Sequence, residues 1–254
     1  MGKKGKTKDP LDTTMSLGDH LEELRLRLIL TLAGLFIGTC ISFYFGADII
    51  ALIKAPYDKI RPDFPLTTLA PADAFVGYMK ISFISGLILS SPWVIYQIWM
   101  FISAGLFVEE KKYVYISMPF SVILFIAGAL FFLFAVAPFS LVFFLKFGDY
   151  IGVSSNWTLS DYVTFMTTLM LVFWIAFQTP IAIFILNKVG LVSLDALRKS
   201  RKFVILVIFV IAAIATPPDV ISQVTLAIPL WMLFELGIII SSLWGRKKAS
   251  EGNS

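Results

Sequence analysis

Long uncharged apolar stretches alternate with short charged segments along this chain. No Asp, Glu, Lys or Arg interrupts residues 28–47, 81–108, 113–145 or 162–187. A hydrocarbon core of about 30 Å is crossed by roughly 20 apolar residues of helix. The pattern therefore predicts transmembrane helices at about 28–47, 81–102, 113–137 and 162–187. Residues 203–245 carry only two ionisable groups, Asp219 and Glu235, and Thr216-Pro217-Pro218-Asp219 reads as a turn that divides the stretch. Two more helices are expected around it, at about 203–216 and 221–243. At 1.5 Å per residue the first reaches only about 21 Å, which calls for local thinning of the bilayer. The predicted fold is all-α: a polytopic membrane protein of six transmembrane helices, the fifth and sixth short.

The polar segments fill in the remainder. Residues 1–15 form a lysine-rich tail, 16–245 a single six-helix membrane domain, and 246–254 a second short tail. Ser16-Leu17-Gly18-Asp19 resembles a capping box with Asp at its end. Beyond it Leu21, Leu24 and Leu28 share one helical face, and His20, Glu23 and Arg27 share another. Between 48 and 80 stand Pro56, Pro62, Pro65 and Pro71, so short helical pieces and turns are expected there. A second loop on the same side covers about 148–161, where Asn156-Trp157-Thr158 reads as a capped loop rather than a glycosylation site. Ser193-Leu194-Asp195 marks a helix start in the 188–202 loop. No soluble domain or internal repeat is apparent.

Composition supports the membrane assignment: 58% of residues are hydrophobic and 15% charged, against about 25% charged in soluble domains. The net charge of +4 acquires a meaning once the loops are assigned to sides. Of the 21 lysines and arginines, five (Lys54, Lys59, Arg61, Lys80 and Lys146) fall on one side, and sixteen on the side of both termini. The positive-inside rule then predicts an N-in, C-in arrangement. The basicity follows topology rather than a nucleic-acid partner, because the aromatic residues lie in the spans.

Chemistry is sparse. His20 is the sole histidine and Cys40 the sole cysteine. No zinc cluster, intramolecular disulfide or Ser-His-Asp triad can be assembled on a pattern of that kind, and no G-x-S-x-G elbow occurs. Gly5-Lys6-Thr7 resembles the end of a phosphate-binding loop but follows no strand. No cofactor or metal is expected, nor a cleavable leader, and transport or binding is favoured over catalysis.

Three motifs bear on function. The first is Ser16-x-x-x-His20-Leu21-Glu22-Glu23-Leu24-Arg25-x-Arg27. The second is Pro92-x-x-x-Tyr96-Gln97-x-Trp99-x-Phe101-Ile102, followed by Gly105-Leu106-Phe107-x-x-Glu110-Lys111-Lys112. The third is Thr216-Pro217-Pro218-Asp219-Val220-x-Ser222-Gln223, with Ala227-Ile228-Pro229 and Phe234-Glu235 beyond it. Together with Lys54-Ala55-Pro56 they run in order through nearly the whole chain, and the sequence resembles the TatC family. That resemblance implies a receptor for folded proteins bearing twin-arginine signal peptides, in a bacterial inner (cytoplasmic) membrane. It further implies TatA-like and TatB-like single-span partners, homo-oligomeric assembly within a larger complex, transport driven by the proton-motive force, and a concave, glove-shaped six-helix bundle. Many members carry a glutamate before a proline in the fourth span; here the stretch reads Phe177-Gln178-Thr179-Pro180.

The candidate residues follow from the resemblance, each beside a plainer structural reading. Glu23 and Glu110 are candidate acceptors for the signal arginines, since carboxylates match the guanidinium fork. Otherwise Glu23 simply pairs with Arg27 one turn on, and Glu110 is a solvated loop charge. Thr216 and Gln223 are candidate contacts for a partner's helix, or else parts of a capped turn. Gln178 and Glu235 are intramembrane polar groups with either a functional or a structural hydrogen-bonding role. Glu235, set well inside its span, is expected to face the bundle or a water-filled cavity. Gly34-x-x-x-Gly38 offers a possible close helix approach. Two other function classes stay open. A solute transporter would show repeats and broken mid-membrane helices, and Pro92, Pro138 and Pro180 can interrupt spans. A membrane enzyme would need catalytic groups that the sequence does not supply.

Overall fold

The computed structural model describes residues 17–153, 155–216 and 220–251. The predicted tail at 1–15, Ser16, residues 217–219 of the predicted turn and the last residues of the C-terminal tail lie outside the described residues. Within them, helices α1 (Leu17–Tyr44), α2 (Gly46–Ile60), α3 (Asp73–Ala104), α4 (Val108–Phe131), α5 (Ala137–Tyr150), α6 (Leu159–Ala176), α7 (Thr179–Lys188), α8 (Leu194–Lys199), α9 (Arg201–Ala215) and α10 (Val220–Glu251) follow in order. Among the described residues, five helical stretches are long and apolar enough to cross a membrane: His20–Tyr44, Asp73–Ala104, Glu110–Tyr150, Leu159–Lys188 and Val220–Trp244. The protein is thus a polytopic helical membrane protein. α9 has 15 residues and is short, as expected. α10 corrects the prediction of a short sixth helix: it has 32 residues and continues through the charged segment after Trp244.

Prolines determine where the apolar runs bend. Pro138 lacks the N–H that would bond the Phe134 carbonyl. The chain responds with a π turn over Phe132–Val136, in which the Ala137 N–H reaches back five residues to the Phe132 carbonyl. α4, this turn and α5 then form one rod that reaches Tyr150, well past the predicted end at 137. Pro180 has the stronger effect. It sits in the first turn of α7, and the helix breaks between Ala176 and Thr179, dividing the predicted 162–187 span. Pro92, by contrast, is absorbed within α3. α7 stops where Gly190 adopts φ +79°, the left-handed conformation that favours glycine at a helix C-terminus.

The main core lies where α2, α3, the π turn, α5, α6, α9 and α10 meet, around Ile81, Phe132, Leu141, Phe173 and Leu226. α1 stands at one edge and packs chiefly along α3. There the two backbones touch: a Cβ on Gly86 would lie 2.5 Å from Thr39 Cα, and one on Gly38 would lie 2.8 Å from the Gly86 carbonyl oxygen. Gly34 likewise accommodates the Trp93 ring. Small residues therefore set the α1–α3 distance, the use expected of them in lipid. Leu21, Leu24, Leu28, Leu32 and Phe36 remain exposed on the far side of α1.

At one end the two long loops are joined. The Thr67 N–H donates to the Trp157 carbonyl at 3.2 Å, the Leu159 N–H donates to the Thr67 carbonyl at 2.7 Å, and Arg61 donates to the Ser155 carbonyl. Thr158 caps α6 by accepting from the Asp161 N–H, which is the capped-loop reading of Asn156-Trp157-Thr158. Tyr57 of α2 is buried and donates to the Phe64 carbonyl at 2.9 Å. Burial raises its hydroxyl above the ordinary range, which keeps it a donor.

Candidate functional site

The amphipathic start of α1 is turned with its polar face inward. In water a helix buries its apolar side, whereas in lipid the polar side needs protein partners. His20 stacks on Phe101 of α3, with ring centroids 4.6 Å apart, and its Cε1 would lie 3.4 Å from a Cβ on Gly105. The beginning of α1 therefore sits beside the connection from α3 to α4. One turn on, Glu23 Oε1 accepts from Arg27 Nε and Nη2, each at 2.7 Å. Arg27 Nη1 in turn donates to Gln97 Oε1 at 3.0 Å. Gln97 belongs to α3 and is almost fully buried, and its amide nitrogen has no hydrogen-bond partner. The result is a chain from carboxylate to guanidinium to buried amide, anchored to a rigid helix.

Gln97 lies in the second motif, yet the sequence reading gave it no role. An amide in an apolar run must find a partner, and that requirement was the available signal. Glu110 is the third residue of α4. Its Oε2 accepts from the Phe107 N–H at 3.2 Å, at the long end of the hydrogen-bond range, so the carboxylate caps the helix start and favours its positive end. Glu23 thus makes the contact of its plainer reading, the pair with Arg27, whereas Glu110 is a helix cap rather than a solvated loop charge.

Gln178 occupies the α6–α7 break. Its Oε1 accepts from Ser121 Oγ at 2.8 Å and its Nε2 donates to the Ser121 carbonyl at 3.1 Å. Trp99 Nε1 donates to the same Ser121 hydroxyl at 3.0 Å. The amide thereby ties the broken helix to α4 and, through Ser121, to α3. A carboxylate at this position would lack the donor for the Ser121 carbonyl.

Glu235 forms a two-point ion pair with Arg201: Nη2 to Oε2 at 2.7 Å and Nε to Oε1 at 2.7 Å. Arg201 opens α9, which places Glu235 level with a helix end. Its carboxylate thus meets the start of a neighbouring helix. With Arg198, Ser242 and apolar residues of α10 the pair lines a notch of about 190 Å³.

Thr216 and Gln223 are both engaged within the protein. Buried Thr216 donates to the Ala212 carbonyl at 2.8 Å, and Gln223 Nε2 donates to the Phe209 carbonyl at 2.9 Å. Ile214 and Val220 are exposed beside them. Beside α9 runs an apolar groove of about 400 Å³, lined among others by Val172, Ile175, Val207, Ile211 and Phe234. Among the described residues no three His, Cys, Asp or Glu side chains gather as metal ligands do.

This geometry can be set beside known proteins. Residues 19–229 match the family described as Sec-independent protein translocase protein (TatC). A protein of that name from Aquifex aeolicus (strain VF5) is 39% identical over 235 residues, covering 92% of this chain and 98% of its own length. Another from Azotobacter chroococcum mcd 1 is 38% identical, covering 91% of each. A crystal structure described as the twin arginine translocase receptor TatC in DDM superposes with a TM-score of 0.82 at 38% identity, covering 87% of this chain and 99% of the other. On this evidence of sequence and fold, the chain belongs to the TatC family of Sec-independent protein translocase proteins.

Proposed function

We propose that this protein is the receptor and core subunit of a twin-arginine translocase, set in a bacterial cytoplasmic membrane with six spans and both termini inside. It binds twin-arginine signal peptides at the cytoplasmic end of α1 and α3 and helps export folded proteins using the proton-motive force. The observation that carries this reading is the inward polar face of α1. Glu23 is held by Arg27, itself bonded to Gln97, beside the α3–α4 connection, and Glu110 stands in the first turn of the next helix. Both Arg27 contacts fall on Glu23 Oε1, which leaves Oε2 for an incoming guanidinium. The cap on Glu110 is long enough to be shared. The two carboxylates receive the two signal arginines, and a guanidinium fork suits them better than an ammonium.

Charge-assisted hydrogen bonds are worth about 1.5–3 kcal/mol and exposed ion pairs about 0.2–1. At a membrane surface Glu110→Gln is expected to cost roughly 1–2 kcal/mol of peptide affinity, or about five- to thirtyfold. Replacing the signal arginines with lysine should overlap with that loss, giving a non-additive cycle, and added salt should weaken binding. Full affinity in the Glu23→Gln, Glu110→Gln double variant with normal expression would remove these residues from the site.

The partners proposed are TatA-like and TatB-like single-span subunits, further copies of this chain, and membrane lipid. Thr216 and Gln223 shape the partner surface by fixing the ends of α9 and α10, while Ile214, Val220 and the groove beside α9 supply the contact. A photo-crosslinker at Ile214 should capture a single-span subunit; capture of lipid alone from an intact complex would count against this surface.

A further inference from the structure

We propose that the notch between α8, the start of α9 and the distal part of α10 binds the anionic headgroup of a membrane phospholipid, with Arg198 and Arg201 as its phosphate ligands. The notch has a volume of about 190 Å³ and is lined by both arginines together with Glu235, Ile238, Ile239, Ser242 and Leu243. Arg201 donates Nη2 to Glu235 Oε2 and holds Nε 2.7 Å from Oε1 as an ion pair; a guanidinium carries five N–H donors, so Nη1 is available to a phosphate oxygen. Glu235 does not repel an anion strongly there, because its charge is paired with the Arg201 guanidinium. Arg198 lies 3.7 Å from Asp195, with the arginine half exposed and the aspartate largely exposed. Such a pair is worth little, which leaves Arg198 able to turn into the notch. Lys199 and Lys202 flank the arginines, and Asp195 is the one acidic residue between 194 and 202, so the local field is positive.

The remaining walls select a lipid over a soluble anion. Glu235, Ile238, Ile239 and Ser242 recur at the three- and four-residue spacing of one helical face. That face is charged and polar at the notch and apolar around it, with Ile239 and Leu243 exposed. It belongs to a helix long and apolar enough to span a membrane, close to where that apolar stretch ends at Trp244. Trp244 is itself exposed, as aromatic residues are at headgroup level. A phosphate held by the arginines would therefore leave the glycerol and upper acyl chain against Ile239 and Leu243. Basic pockets between helices at such an interface suit anionic headgroups, whereas a cationic signal peptide is repelled. The site is separate from Glu23 and Glu110, so it stands or falls independently of signal-peptide binding.

The test uses the full chain, purified in detergent and offered equal amounts of phosphatidylglycerol and phosphatidylcholine, with retained lipid counted by native mass spectrometry. The wild-type protein should keep phosphatidylglycerol in preference. Arg198→Gln should lower that retention about fivefold, the effect of one basic charge near an anionic lipid. Lys146→Gln, remote from the notch, should leave it unchanged. Millimolar inorganic phosphate should not displace the lipid. Equal retention of the two lipids by the wild-type protein would overturn the proposal without recourse to any variant. So would equal losses in Arg198→Gln and Lys146→Gln, which would indicate general surface charge, or displacement by inorganic phosphate, which would indicate a soluble-anion site.

Discussion

Single residues show how this chain accommodates polar groups in an apolar setting. Gln178, Glu235 and Gln97 each sit in an apolar stretch, and each has a named partner on another helix: Ser121, Arg201 and Arg27. The sequence made the need for partners legible, but it could not identify them, because they lie from 34 to 70 residues away. Interhelical hydrogen bonds of this kind are worth about 0.6–2 kcal/mol in membrane proteins. Gln178→Leu breaks both bonds to Ser121 and should lower unfolding stability in detergent by about that amount. An unchanged unfolding midpoint would show that the break is held by packing alone. Arg201→Gln and Glu235→Gln should each destabilise, and the double variant should cost less than their sum. Strict additivity would mean that the pair, half open to its surroundings on the arginine side, contributes nothing.

At the scale of elements, the apolar runs placed the helices, while their ends and breaks depended on features that hydropathy does not report. A helix ends where its hydrogen bonds end, and a hydropathy run ends where the membrane does. α10 therefore outlasts its apolar stretch, and α4 and α5 join into one rod. Prolines 92, 138 and 180 were equal candidates in the sequence. In the structure the first is absorbed within α3, the second follows a π turn and the third follows a break. The Gly34-x-x-x-Gly38 signal found its meaning in α3, where Gly86 faces the α1 backbone. Gly86→Ala would bring a Cβ to 2.5 Å from Thr39 Cα, whereas a Cβ on Gly77 in the same helix meets nothing nearer than 3.7 Å. The first substitution should cost about 1–3 kcal/mol. The second should be neutral or slightly stabilising, since alanine favours helix over glycine. Equal melting temperatures for the two variants would contradict the close-approach account of the α1–α3 contact.

For the molecule as a whole, the charge bias along the sequence implies a side for every loop, and the structure joins the two loops assigned outside through Thr67, Trp157 and Leu159. In a Cys40→Ser background, single cysteines at Ile60 and Ser155 should react with an impermeant thiol reagent applied to intact cells, and one at Ser250 should not. Labelling at 250 would invert the arrangement and move Glu23 and Glu110 to the wrong face. With orientation fixed, the central claim is that this chain is the receptor that reads a pair of arginines. Phe107 is exposed and adjoins Glu110 through its own N–H, so a photo-crosslinker there reports directly on that face. Leu69, exposed on the opposite side, serves as the control position. In membrane vesicles the probe at Phe107 should capture a twin-arginine signal peptide, with capture falling for a twin-lysine peptide and in Glu23→Gln, Glu110→Gln, while the probe at Leu69 captures none. Equal capture of the two peptides at Phe107, undiminished in the double variant, would contradict the account.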